Sequence, residues 1–198
     1  MSEPAPPRRS LLSEARLGVR GVFALLAFRK NWRAYFDPSA AGALRSFIGV
    51  VLAFPAFWFM ISAANHFIAE NPGAGEAADP VTVAERLLIW VRFWVLFPVT
   101  AWIVCALMDL RGGFYAWLTV HNWTVFVLVH IQALIWALHL AGLGDPESLG
   151  ALLTLYALAR LFVHWRVAQG SLGLPPGLSA AAAGVPLIAD LVVASALI

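Results

Sequence analysis

The sequence is poor in charge. Asp, Glu, Lys and Arg make up 12% of its 198 residues, about half the usual share of a soluble domain, while 61% are hydrophobic. So little polar surface cannot coat a water-soluble globule. That excludes an ordinary soluble enzyme, a disordered chain and a fibrous repeat. The mean hydropathy of +0.80 agrees. Cysteine is nearly absent: Cys105 stands alone in an apolar run, which excludes an intrachain disulfide and a cysteine-based zinc site. No glycine loop suited to cradling phosphate is present, and Gly112-Gly113 reads as a tight reversal between apolar runs. No zinc-binding helix signature occurs. His121-Asn122-Trp123-Thr124 supplies polar groups without pairing a nucleophile to a base. A cleaved leader is also not expected, because Glu14, Arg16 and Arg20 interrupt the stretch 11–28.

What the chain does have is length of apolar sequence. A bilayer crossing takes about 20 apolar residues, and five runs qualify: 46–68, 87–108, 114–143, 149–168 and 179–198. Pro55, Pro98 and Pro186 fall inside them, which membrane helices tolerate. The expected fold is all-α: a polytopic bundle of five spans over residues 37–198, preceded by a tail and an amphipathic interfacial helix over 1–36.

Charge placement predicts an orientation. Eight of the 13 Lys and Arg residues lie in the first 45 positions: Arg8, Arg9, Arg16, Arg20, Arg29, Lys30, Arg33 and Arg45. Basic residues favour the cytoplasmic side, so the N-terminus is expected inside and, after five spans, the C-terminus outside. The loop after the first run carries Glu70, Glu76, Asp79 and Glu85 with Arg86 at its edge, and 144–148 has no basic residue. Both fall outside. Arg111 and Arg166 mark the two inner loops. The expected location is a bacterial inner membrane.

The segment 11–36 stands apart. Ser13, Arg16 and Arg20 recur at helical spacing, and Leu12, Ala15, Val19, Val22, Phe23 and Leu26 line another face. Such a helix suits the headgroup plane, with Arg16, Arg20, Arg29, Lys30 and Arg33 near anionic lipid. Packing against the bundle's own cytoplasmic face is the alternative. Asp37-Pro38 reads as a helix start, Asp37 capping and Pro38 first. The tether to a membrane makes lipid, not nucleic acid, the expected partner of this basic region.

Ionisable groups within a span are costly and need an account. Arg160 and Asp190 fall near mid-depth of consecutive antiparallel runs, so they are expected to pair, as a clamp or as part of an ion or proton relay. Arg92, nearer the outer end of its run, is expected to snorkel. His121, His130 and His139 recur every nine residues. His66 is level with His139 and His164 with His121, so the four are alternative axial ligands for two b-type haems. Trp32, Trp117 and Trp165 suit the inner interface and Trp90 the outer. Trp58, Trp94, Trp102, Trp123 and Trp136 are expected to pack within the bundle.

The run 106–113, Ala-Leu-Met-Asp-Leu-Arg-Gly-Gly, closes one span and is followed by Phe114-Tyr115-Ala116-Trp117-Leu118. Further on, Leu155-Tyr156-Ala157-Leu158-Ala159-Arg160 precedes Gln169-Gly170-Ser171-Leu172-Gly173-Leu174 and an Ala-rich last span. Over residues 37–198 this pattern resembles the Yip family of five-span membrane proteins. The resemblance implies a non-enzymatic organiser of membranes, or an adaptor for another membrane protein, with no cofactor and no catalytic residues. Two alternatives stay open from the residues themselves: a haem b electron carrier and a small transporter lined by Arg160 and Asp190.

Overall fold

The computed structural model describes residues 10–71 and 80–197, apart from the side chains of the last two. The tail 1–7, Arg8, Arg9, Glu76 and Asp79 lie outside the described residues. Those described form helices α1 (Leu11–Leu26), α2 (Ala40–Ser46), α3 (Ile48–Glu70), α4 (Val83–Leu107), α5 (Phe114–Leu140), α6 (Pro146–Leu172) and α7 (Pro176–Leu197), with no strand among them. α3 to α7 are each long and apolar enough to cross a membrane, and the protein is an integral membrane protein.

Local chemistry sets the helix ends. Ser10 accepts from the Ser13 N–H at the start of α1. Thr82 and Glu85 form a reciprocal capping box that starts α4 four residues earlier than hydropathy suggests. Asp145 caps α6 with Pro146 next, and Gly173 ends it at φ 68°, a left-handed conformation natural to glycine. One expected cap is corrected. Ser39, not Asp37, starts α2, because the Asp37 carboxylate is already engaged by the Ser39 N–H at 2.9 Å and by the Arg45 guanidinium.

The spans form a ring. α3 packs on α5, α5 on α6, α6 on α7 and α7 on α4, while α4 also touches α3 and α5. α5 holds the centre, since α1 and α2 lie against it as well. Residues 117–124 are consequently buried on every side, which is why that stretch shows no apolar stripe. The outward faces are apolar: Val91, Val95, Val99, Leu155, Leu158, Ile188 and Leu191 are all exposed. In water so large an apolar skin would drive aggregation. In a bilayer it is the solvated surface.

The N-terminal helix is docked on the bundle. Val22 and Leu25 have no exposed surface, whereas Leu12 is 83% and Phe23 54% exposed. A Cβ on Gly18 would collide with the Trp123 ring, so glycine permits this close approach of α1 to α5. Two arginines then fasten α1 and α6 reciprocally. Arg166 of α6 donates from Nε to the Leu25 carbonyl at 3.2 Å, and its guanidinium lies 4.3 Å over Phe28. Arg33 donates to the Gly170 carbonyl at 2.9 Å, beside the end of α6. The C-terminus of α1 is thus served by an arginine of α6, and the last turn of α6 by Arg33 from the turn Trp32–Tyr35 that follows α1, each where the dipole favours cations.

Four aromatic expectations are corrected. Trp117 is 1% exposed, Trp32 8% and Trp90 9%, so none of the three sits at an interface as an anchor. Trp102 is 56% exposed rather than packed inside. At about 100° per residue it is turned about 80° from the row of Trp94, Ala101 and Cys105 that α4 buries.

Candidate functional site

All five spans contribute to one interior cavity of about 70 Å³. Its charged and polar lining comes from helical rows. On α6, Tyr156, Arg160 and His164 recur at intervals of four. α5 presents Trp117, His121, Val125, Leu128 and Gln132. α4 adds Arg92, Phe93 and Phe97, and α7 adds Ala183, Pro186 and Asp190. Spacings of three and four keep such residues on one helix face.

Asp190 stands between two guanidiniums. Arg92 Nε is 3.1 Å from one carboxylate oxygen and Arg160 Nη2 is 3.7 Å from the other. The second contact is long for a charge-assisted hydrogen bond. In the first, the Arg92 N–H is not aimed at the oxygen, and it has no hydrogen-bond partner among the described residues. Both guanidiniums lie over the Phe93 ring, at 5.5 and 5.9 Å, which gives each some cation–π compensation.

Arg92 therefore does not snorkel. Its side chain is only 11% exposed. Because α4 begins at Val83, Arg92 lies about 14 Å along the helix, too deep for one side chain to reach the outer headgroups. The inward carboxylate is the available partner. Arg160, about 21 Å from the start of α6, and Asp190, equally far from the start of α7, lie near mid-bilayer.

The histidines divide into two kinds. His121 and His164 are buried beside the charged cluster, their rings 5.3 Å apart and tilted by 31°. His121 stacks flat on Phe97, and its Nδ1 has no hydrogen-bond partner among the described residues. The outer pair is not joined. His66 lies 3.2 Å from the Glu70 carboxylate, His139 meets the Gly144 carbonyl at 3.2 Å, and His130 bonds its own helix at Phe126. Among the described residues no three His, Cys, Asp or Glu side chains gather as a metal site. Tyr156 donates to the Leu128 carbonyl at 3.2 Å, which fixes its hydroxyl at the cavity wall.

The sequence reading paired Arg160 with Asp190 and left out Arg92, Tyr156 and Gln132. The interval of four from Tyr156 through Arg160 to His164 was a legible signal for part of this set. That Arg92 belongs to it follows only from α7 packing on α4.

The basic end is separate. Arg16, Arg20, Arg29 and Lys30 are exposed around α1, whereas Arg33 is committed to Gly170. Arg45 joins Glu14 at 3.2 Å to Asp37. Burial alone would raise the Asp37 pKa, but hydrogen bonds from Ser39 and Arg45 outweigh it and hold the carboxyl below its usual range. At the opposite end Glu70, Glu85, Asp145 and Glu147 are exposed. Arg86 there is turned inward to Ser62 Oγ at 2.9 Å and to the Val81 carbonyl. Comparison with family models, with curated proteins and with solved structures gives no match.

Proposed function

We propose that the chain is a non-enzymatic membrane protein of the small-transporter class, which holds a polar solute at the centre of its five-helix ring. The observation that carries this reading is the convergence of Arg92, Arg160, Asp190, His121 and His164 on one cavity within the spans. A structural clamp needs only one cation and one anion. Here four helices contribute, and Arg92 Nε and His121 Nδ1 have no hydrogen-bond partner among the described residues. Intramembrane groups arranged so are typical of solute paths. The test is uptake into proteoliposomes of labelled sodium, acetate and glycine. Uptake of one solute should fall about tenfold or more in Arg160→Met. Uptake of all three that ignores this change defeats the reading.

The orientation belongs to the same proposal. The α1 end is basic, with Arg16, Arg20, Arg29, Lys30 and Arg111 exposed, and the other end is acidic. On the positive-inside rule the α1 end faces the cytoplasm of a bacterial inner membrane.

A second reading is the Yip-like organiser or adaptor. It draws on the exposed cations around α1, which suit anionic headgroups or an acidic face of another membrane protein. The chain that co-purifies after mild solubilisation identifies such a partner, and its loss on replacing Arg16, Arg20, Arg29 and Lys30 by Gln ties it to this surface.

A further inference from the structure

We infer that the ligand of the central cavity is a small monovalent anion of carboxylate type. The inference rests on the reading of that cavity as a ligand site and names its chemistry.

The argument begins with charge. Among the described residues lining the cavity, Arg92 and Arg160 are cationic and Asp190 is the single carboxylate. The remaining polar groups are Gln132, Tyr156, His121, His164 and the indoles of Trp90 and Trp117, none of which brings a negative charge at neutral pH. Two guanidiniums against one carboxylate leave one positive charge uncompensated near mid-bilayer. An unpaired cation at that depth is costly, and a bound monoanion removes the imbalance.

Donor count points the same way. The two guanidiniums carry ten N–H groups between them, and no hydrogen bond from either to a protein acceptor exists among the described residues, only the two ion-pair contacts with Asp190. A guanidinium presents parallel donors that match the two oxygens of a carboxylate. His121 is 6% exposed and lines the same cavity, with Nδ1 unpartnered, so the imidazole is a further hydrogen-bonding group for the ligand. A cation would instead meet two guanidiniums, and a neutral solute would leave the imbalance standing.

Size selects within the class. A cavity of about 70 Å³ bounded by Phe93, Phe97, Trp90 and Trp117 admits an ion as small as formate or acetate. It is well below the roughly 300 Å³ and more of pockets for drug-sized ligands. The aromatic walls leave room for a methyl group but offer no polar partners for a long hydroxylated chain.

The test is the melting temperature of the full chain in detergent, at constant ionic strength, as sodium formate or acetate replaces sodium gluconate. Gluconate has the same charge and a carboxylate but is too large. The wild type should be stabilised with a saturating dependence on formate or acetate. Arg160→Met leaves Arg92 and Asp190 as a neutral pair of similar volume, and its half-saturating concentration should rise by more than about tenfold, as loss of a buried charged contact implies. Asp190→Asn adds a net positive charge and should lower that concentration. No saturable shift in the wild type, or the same shift in both variants, overturns the inference. Stabilisation by sodium, potassium or glycine that depends on Arg160 overturns the anion assignment yet keeps the cavity as a ligand site. Should Arg160→Met fail to fold, the wild type and Asp190→Asn still decide, since an anion site requires a saturable shift with formate in both, at a lower concentration in Asp190→Asn.

Discussion

Asp190 is the residue on which the interior charges turn. Removing it leaves Arg92 and Arg160 facing each other with nothing between them, whereas removing either arginine leaves a one-to-one pair. Breaking a buried ion pair by deleting one partner costs about 3–5 kcal/mol, much of it from the charge left behind. Asp190→Ala should therefore lower the melting temperature in detergent most. Arg92→Ala should lower it less, since it loses the shorter contact of 3.1 Å. Arg160→Ala should lower it least, its contact being 3.7 Å with a side chain 32% exposed. Equal melting of all three and the wild type would remove the cluster from the account of stability. At the surface, the lowered Asp37 pKa gives a pH signature. Its contribution is full above the unfolded carboxylate value of about 4 and is lost as pH falls through the lower folded value. The stability difference between wild type and Asp37→Asn should thus vanish only below about pH 4. The difference itself is small, because Asp37 and Arg45 are both well exposed and screened. A difference that persists unchanged to pH 3 would show that the carboxylate charge is not what matters there.

At the scale of elements, hydropathy located all five spans but placed the starts of α4, α6 and α7 three or four residues late. α4 starts at Val83 and α6 at Pro146, because Thr82 with Glu85 and Asp145 with Ser148 extend the helices into polar sequence that an apolar window discards. Those few residues decide the fate of Arg92, which moves from reach of the interface to mid-membrane. Pairing of Arg160 with Asp190 was legible because consecutive antiparallel spans must be neighbours. Membership of Arg92 was not, because it depends on α7 returning beside α4, a ring closure that no local pattern encodes. The docking of α1 was half legible. Its apolar face was plain, but Gly18 and Gly21 gave no sign that Trp123 and Phe36 would fill the space over them. The fastening of α1 has its own prediction. Arg166→Ala removes the donor from the Leu25 carbonyl and the cation from Phe28. Trypsin should then cleave at Arg29 and Lys30 faster, by several-fold or more, with the spans still intact. An unchanged cleavage rate would mean that apolar packing of Val22 and Leu25 holds α1 without the arginine.

For the whole molecule, the arrangement inverts that of a soluble protein. Many of its apolar residues face outward, and its scarce charges face a shared interior or gather at the two ends. The low charge content that first excluded a soluble fold thus has a spatial meaning. The proposed orientation has its own test. Cys105 is buried, so the chain is a clean background for single-cysteine labelling. A cysteine placed at Ser39 should be shielded from a membrane-impermeant maleimide in intact cells, and one placed at Gly142 should react. The reverse pattern would invert the topology and send the basic end outward.

The reciprocal arginines also order events in time. The donor to the Leu25 carbonyl lies 141 residues further along the chain. The acceptor for Arg33 lies 137 residues on. During synthesis α1 is the first helix made, yet neither fastening exists until the fourth span has entered the membrane. Contacts of such separation form late. The N-terminal segment therefore lacks both arginine fastenings through most of translation, and its closure onto α6 marks a bundle with at least four spans in place.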